Sequence, residues 1–144
     1  MVKTIAVGTD GSETAQIAVD FAMDMAEKYG AKLVIASAYT PVGEDRLRKE
    51  KRDAPQEIQW SINPNEDVDN TLRAVEEAAR ERGLKYASEA RNGDPADVLC
   101  DIAEAHEADI IVVGNKGMER RILGSVPNSV SHKAPCSVMI VKTA

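Results

Sequence analysis

The stretch Ala108–Ser125, reading ADIIVVGNKGMERRILGS, decides the fold. Ile110, Ile111, Val112 and Val113 form a β-branched run without polar alternation, the pattern of a strand covered on both faces in a parallel sheet. Gly114 ends the run, and Gly117, Gly124 and Ser125 precede a second apolar stretch, Val126–Val130, where a helix can begin. A strand that passes through glycines into a helix start offers backbone N–H groups to an anion. Between Gly114 and Lys133 the chain carries Lys116, Arg120, Arg121 and Lys133 against a single acid, Glu119. The whole chain has 24 acids, 18 Lys and Arg and a net charge of −6, so this is a local basic patch on an acidic protein.

Working outward, apolar strands and helical spacings alternate along the sequence. Thr4–Thr9 reads as a first strand, and Ile17, Phe21, Met25 and Tyr29 fall four apart in Glu13–Tyr29, which predicts a helix facing inward on those residues. Gly30 closes it, and Lys32–Tyr39 reads as a second strand. Thr40–Asn65 is polar, rich in Pro and Gly and mixed in charge, and is expected to be a surface excursion whose Trp60 and Ile62 return it to the body. Val68, Leu72, Val75 and Ala79 mark a second helix closed by Gly83, and a third strand is expected within Lys85–Ala90. Asp94 and Pro95 open a third helix with Val98, Ile102 and Ala105 inside. A strand at Asp109–Val113, a short helix near Ser125–His132 and a strand at Ser137–Lys142 finish the chain. The predicted order β-α-β-α-β-α-β-α-β implies an α/β fold, an open parallel sheet with helices on both faces. Ligands of such sheets bind beyond the strand C-termini where the strand order reverses, so Thr9-Asp10-Gly11-Ser12 and the glycine turn are expected to face each other.

The 144 residues suit one domain, here residues 1–144, and 43% hydrophobic content suffices for a two-sided core. Net charge −6 argues against a general nucleic-acid or anionic-membrane binder, and no run approaches the roughly 20 apolar residues of a membrane span. A soluble, cytoplasmic protein is expected. Cys100 and Cys136 lack metal-ligand spacing and read as buried free thiols; His106 and His132 sit near helix ends and read as non-catalytic. There is no Gly-x-x-x-x-Gly-Lys-Ser/Thr loop, no Gly-x-Ser-x-Gly elbow and no Gly-x-Gly-x-x-Gly after the first strand. Asp10 is placed either to meet a ribose hydroxyl or a Mg²⁺ beside phosphates, or to cap the first helix with Ser12. Ser125 is likewise a helix cap, a phosphate contact or both.

The segments VGTDGSETAQIAVDFA from Val7 and GNKGMERRILGSVPNSVSHKAPCSVMIV from Gly114, with the predicted element order, resemble the universal stress protein family. The resemblance covers the chain apart from Thr40–Asn65. It implies a five-stranded parallel sheet of order 3-2-1-4-5, of Rossmann-like, adenine nucleotide alpha hydrolase-like type. It also implies a homodimer through the last strand, with Val138, Ile140 and Val141. Carried over by position, it implies that Thr9 and Asp10 meet the ribose and phosphates of a bound nucleotide and that Ala38 meets adenine. Val113, Gly114, Lys116 and Gly117 then line the base and ribose, and Gly124, Ser125 and Val126 hold phosphates, with Arg120 and Arg121 adding charge. The ATP-binding branch of the family spaces its last two glycine positions by nine residues, whereas six separate Gly117 from Gly124. The expected function is that of a stress-response sensor or regulator binding ATP, with Mg²⁺ held indirectly at Asp10 and little intrinsic catalysis. AMP or cyclic AMP is the alternative that the shorter span favours; a slow Mg²⁺-dependent ATPase and a nucleotide-free dimeric scaffold are the others.

Overall fold

A computed structural model of the chain describes residues 1–39, 65–115 and 124–143. Within them the elements run β1 (Thr4–Gly8), α1 (Glu13–Tyr29), β2 (Lys32–Tyr39), α2 (Asn65–Glu81), β3 (Tyr86–Asn92), α3 (Pro95–Ala105), β4 (Ile110–Gly114), α4 (Ser125–Lys133) and β5 (Ser137–Val141). The five strands form one parallel sheet in the order β3-β2-β1-β4-β5. The element order and the strand order both match expectation. The expected excursion, with Trp60 and Ile62, lies almost entirely outside the described residues.

β1 holds the centre. Its Ile5, Ala6 and Val7 are fully buried, pairing with Leu33, Val34 and Ile35 of β2 on one side and with Ile110, Ile111 and Val112 of β4 on the other. Because side chains alternate along a strand, Ile5 and Val7 enter the core beneath α1 and α2, while Ala6 enters the core beneath α3 and α4. Both faces of the sheet are therefore covered, which is why its central strands read as unbroken apolar runs.

Capping sets the helix ends. Ser12 accepts from the Ala15 N–H at the start of α1, and Asp94 accepts from the Asp97 N–H at the start of α3, with Pro95 in its first turn. At the far end of α1, Gly30 adopts φ +63, and the Ala31 N–H donates to the Ala26 carbonyl.

The buried face of α1 differs from the expected one. Ala15, Ala18, Val19, Ala22, Met23 and Ala26 turn inward, whereas Ile17, Phe21 and Tyr29 are 44, 41 and 54% exposed. The stripe turned to the strands is rich in alanine, and of the expected residues Met25 is half-buried against the core. The second helix buries Val68, Leu72, Val75 and Ala79 as expected. In α3, Val98 and Ile102 are buried beside Leu99 and Ala103, but Ala105 is exposed. β3 extends two residues past Ala90, and α4 continues one residue past His132. β4 begins at Ile110 and takes in Gly114, and β5 stops at Val141, one residue before Lys142.

Among the described residues no helix is long and apolar enough to cross a membrane. Cys100 is buried and Cys136 half-buried; both are free thiols, and burial pushes each above the ordinary cysteine pKa.

Candidate functional site

The chain leaves β1 toward β2 and leaves β4 toward β5, on opposite sides. Since β1 and β4 are neighbours, the loops at their C-terminal ends diverge and open a crevice between them. Helices α1 and α4 both begin at this edge, so their N-terminal turns border it.

The β1 loop is built by a short chain of hydrogen bonds. Thr9, 1% exposed, donates its N–H to the Ala36 carbonyl at 3.0 Å, and its own carbonyl accepts from the Ser37 hydroxyl at 2.8 Å. Its Oγ1 accepts from the Gly11 N–H at 3.1 Å, and Asp10 Oδ1 accepts from the Ser12 N–H at 2.9 Å. These side chains mimic the backbone of a turn. Gly11 completes it with φ +84, and a Cβ there would lie 2.7 Å from Thr71 Oγ1 of α2. Thus Asp10 serves the loop while Ser12 caps the helix, and the half-buried Asp10 stays at the mouth of the crevice.

On the β4 side, Val113 is 3% exposed and Gly114 half-buried. A Cβ on Gly114 would lie 3.0 Å from Thr143 Cγ2 and 3.7 Å from the Thr14 carbonyl oxygen in the first turn of α1. The end of β4 therefore lies beside the first turn of α1; the rest of the glycine turn lies outside the described residues. Gly114 has no positive φ; a side chain there would crowd Thr143. Asn115, 1% exposed, accepts at Oδ1 from both the N–H and the hydroxyl of Thr143, each at 2.8 Å.

Helix α4 starts from Gly124 as its N-cap, at φ −60, and no side chain caps it among the described residues. Ser125 is exposed at the first helical position, so it is not the cap; Val126 is half-buried, and Pro127 supplies no N–H to the first turn. The free N–H groups of such a turn point toward the edge of the sheet. Ala38, 6% exposed, stands near the end of β2 beside β1. Lys116, Gly117, Arg120 and Arg121 lie outside the described residues.

Ser37, Asn115 and Thr143 join the expected residues, Gly11 of the first loop among them, at this edge. Gly11 carried a signal, the Asp-Gly dipeptide of a tight turn. The other three carried none, because each acts through a partner distant in sequence. His106 is held elsewhere: its Nε2 lies 2.8 Å from Glu89 Oε2 on the edge strand β3, and Arg91 reaches the other Glu89 oxygen at 3.0 Å. The His106 contact, and after it Arg91, hold the Glu89 carboxyl below the usual glutamate range. Among the described residues no group of three or more His, Cys, Asp or Glu side chains could hold a metal ion.

A family model described as the universal stress protein family matches residues 1–142. Universal stress protein Rv1636 of Mycobacterium tuberculosis is 39% identical over 145 residues, covering 98% of this chain and 97% of its own length. Universal stress protein MJ0531 of Methanocaldococcus jannaschii is 30% identical over 151 residues, with 99 and 83% covered. Among solved structures, a universal stress protein crystallised in complex with cAMP is 33% identical, with 99% of each chain covered and a TM-score of 0.74.

Proposed function

The chain belongs to the universal stress protein family, and from that premise we propose that it binds an adenine nucleotide at the β1–β4 crevice. In this reading it works as a stress-response sensor or regulator with little intrinsic catalysis. One observation carries it: at the C-terminal edge of the adjacent central strands β1 and β4, where strand order reverses, Gly114 lies beside the first turn of α1 and two helix N-termini border the same edge.

Within that reading, Thr9 and Asp10 face the ribose and phosphates, and Ala38 and Val113 face the base. Gly114, Lys116 and Gly117 line the base and ribose side. Gly124, Ser125 and Val126 hold phosphate, with charge from Arg120 and Arg121. Pro127 leaves the N–H groups of Ser125 and Val126 as the first-turn donors. ATP is the first ligand proposed, with Mg²⁺ bound mainly by the phosphates and Asp10 assisting. His106, engaged with Glu89 on β3, is not available at the crevice as a general base. A cytoplasmic homodimer paired through β5 completes the picture.

Cyclic AMP or AMP is a second reading with support of its own. Only six residues separate Gly117 from Gly124, a short span to cover a triphosphate, and the 33% identical solved structure was crystallised with cAMP. Isothermal titration of nucleotide-free protein with ATP, AMP and cyclic AMP tests both readings. Heat from none of the three rejects nucleotide binding, and competition between them ranks the ligands.

A further inference from the structure

The chain continues past β5 and turns back over the end of β4. The Asn115 N–H donates to the Val141 carbonyl at 2.9 Å, and Asn115 Oδ1 takes both donors of Thr143 at 2.8 Å each. A buried amide oxygen that accepts two hydrogen bonds fixes its own rotamer, and losing those donors would leave it unsatisfied. The residue so fixed is the first beyond β4, where the chain leaves the sheet for the crevice. The space a side chain on Gly114 would fill is bordered by Thr143 Cγ2, 3.0 Å from the Cβ position, and by the Thr14 carbonyl oxygen at 3.7 Å. The backbone at Asn115 is thus tied by hydrogen bonds to the segment Val141–Thr143.

We propose that Asn115 and Thr143 are a positioning pair for the nucleotide site: the tail holds the Gly114–Asn115 backbone in its binding geometry. This rests on the nucleotide reading above. Neither side chain is placed on the ligand; both act through the backbone at the end of β4. The pair also ties the crevice to the edge strand β5, because Thr143 follows directly on from it.

The test compares Thr143→Val, which is nearly isosteric and removes one donor, with Thr143→Ser, which keeps both donors, and with Asn115→Ala. Each is titrated with cyclic AMP and ATP and is unfolded thermally without nucleotide. Thr143→Val is expected to weaken binding by about threefold to tenfold and Asn115→Ala by about tenfold or more, from the worth of one and two hydrogen bonds. Thr143→Ser stays near wild type, and the double variant Asn115→Ala/Thr143→Val is no weaker than Asn115→Ala, since both break one unit. A lowered unfolding temperature with unchanged nucleotide affinity overturns the proposal, because the pair would then be a structural clasp only. If Asn115→Ala does not fold, the Thr143→Val and Thr143→Ser comparison decides alone. If wild type binds neither nucleotide, the proposed function fails, and amide exchange in the ligand-free protein decides the pair. Faster exchange at Gly114 and Asn115 in Thr143→Val supports it, and unchanged exchange rejects it.

Discussion

Replacing Gly11 by alanine tests how the β1 loop is held. At φ +84 an L-residue costs about 1–2 kcal/mol, a penalty glycine escapes. The added Cβ also lands 2.7 Å from Thr71 Oγ1 and 3.5 Å from Thr71 Cγ2. Threonine is branched at Cβ and restricted in χ1, so relief requires a less favourable rotamer at Thr71 or a shift of α2. Overpacking of this kind adds about 1–2 kcal/mol, for a total near 3 kcal/mol. At this chain length that is a drop of roughly 10 °C in the unfolding midpoint. Calorimetry and urea titration of Gly11→Ala, made both in wild type and in a Thr71→Ala background, separate the two contributions. Removing Thr71 should leave the backbone part alone, so the loss in that background falls to about 1–2 kcal/mol. An equal loss in both backgrounds would refute the contact. A loss below about 0.5 kcal/mol in wild type would refute the whole account.

The exposed stripe on α1 makes a contrasting pair: Phe21→Gln should change stability by less than about 1 kcal/mol, while Met23→Ala, two residues away and 1% exposed, should lose about 2–5 kcal/mol in urea unfolding. The depressed Glu89 carboxyl gives a pH dependence of definite sign. Its stabilisation is fully present above the ordinary glutamate pKa of about 4.3 and is lost as pH falls through the lower folded value. Wild type should therefore be more stable than Glu89→Gln at pH 6, and acidification to pH 3 should narrow that gap; a constant gap would contradict the assignment. Light scattering at micromolar concentration should give the mass of a dimer that Ile140→Lys on β5 converts to monomer, because an edge strand left unpaired invites a partner.

The parallel sheet was legible because β1, β2 and β4 are buried on both faces and show it as uninterrupted Val, Ile and Ala runs. Helix positions were equally open, since Ser12, Gly30, Asp94 and Pro95 carry capping chemistry that is local in sequence. The inward face of α1 was not. Two stripes run along that helix, one of large residues from Ile17 to Tyr29 and one rich in alanine, and hydrophobicity alone selects the wrong one. Which stripe faces β1 and β4 is decided by how the helix packs on the assembled sheet, a property no local pattern carries. The crevice followed from strand order and from glycine placement. Its bracing did not, because Ser37 serves Thr9 and Thr143 serves Asn115 across 28 positions each, in residues that carry no motif.

The central place of β1 bears on how the chain acquires its structure during synthesis. Ile5 finds its β2 neighbour Leu33 soon after the two are made, but its other neighbour, Ile110, emerges from the ribosome only when most of the chain already exists. Until then a strand with fully apolar side chains keeps one hydrogen-bonding edge open, in a half-sheet that cannot yet shut. Such long-range closure is slow relative to helix formation. The segment from β4 through the Asn115–Thr143 contact, made well after β1 and β2, is then the one that seals the sheet centre and sets the edge where the proposed site lies.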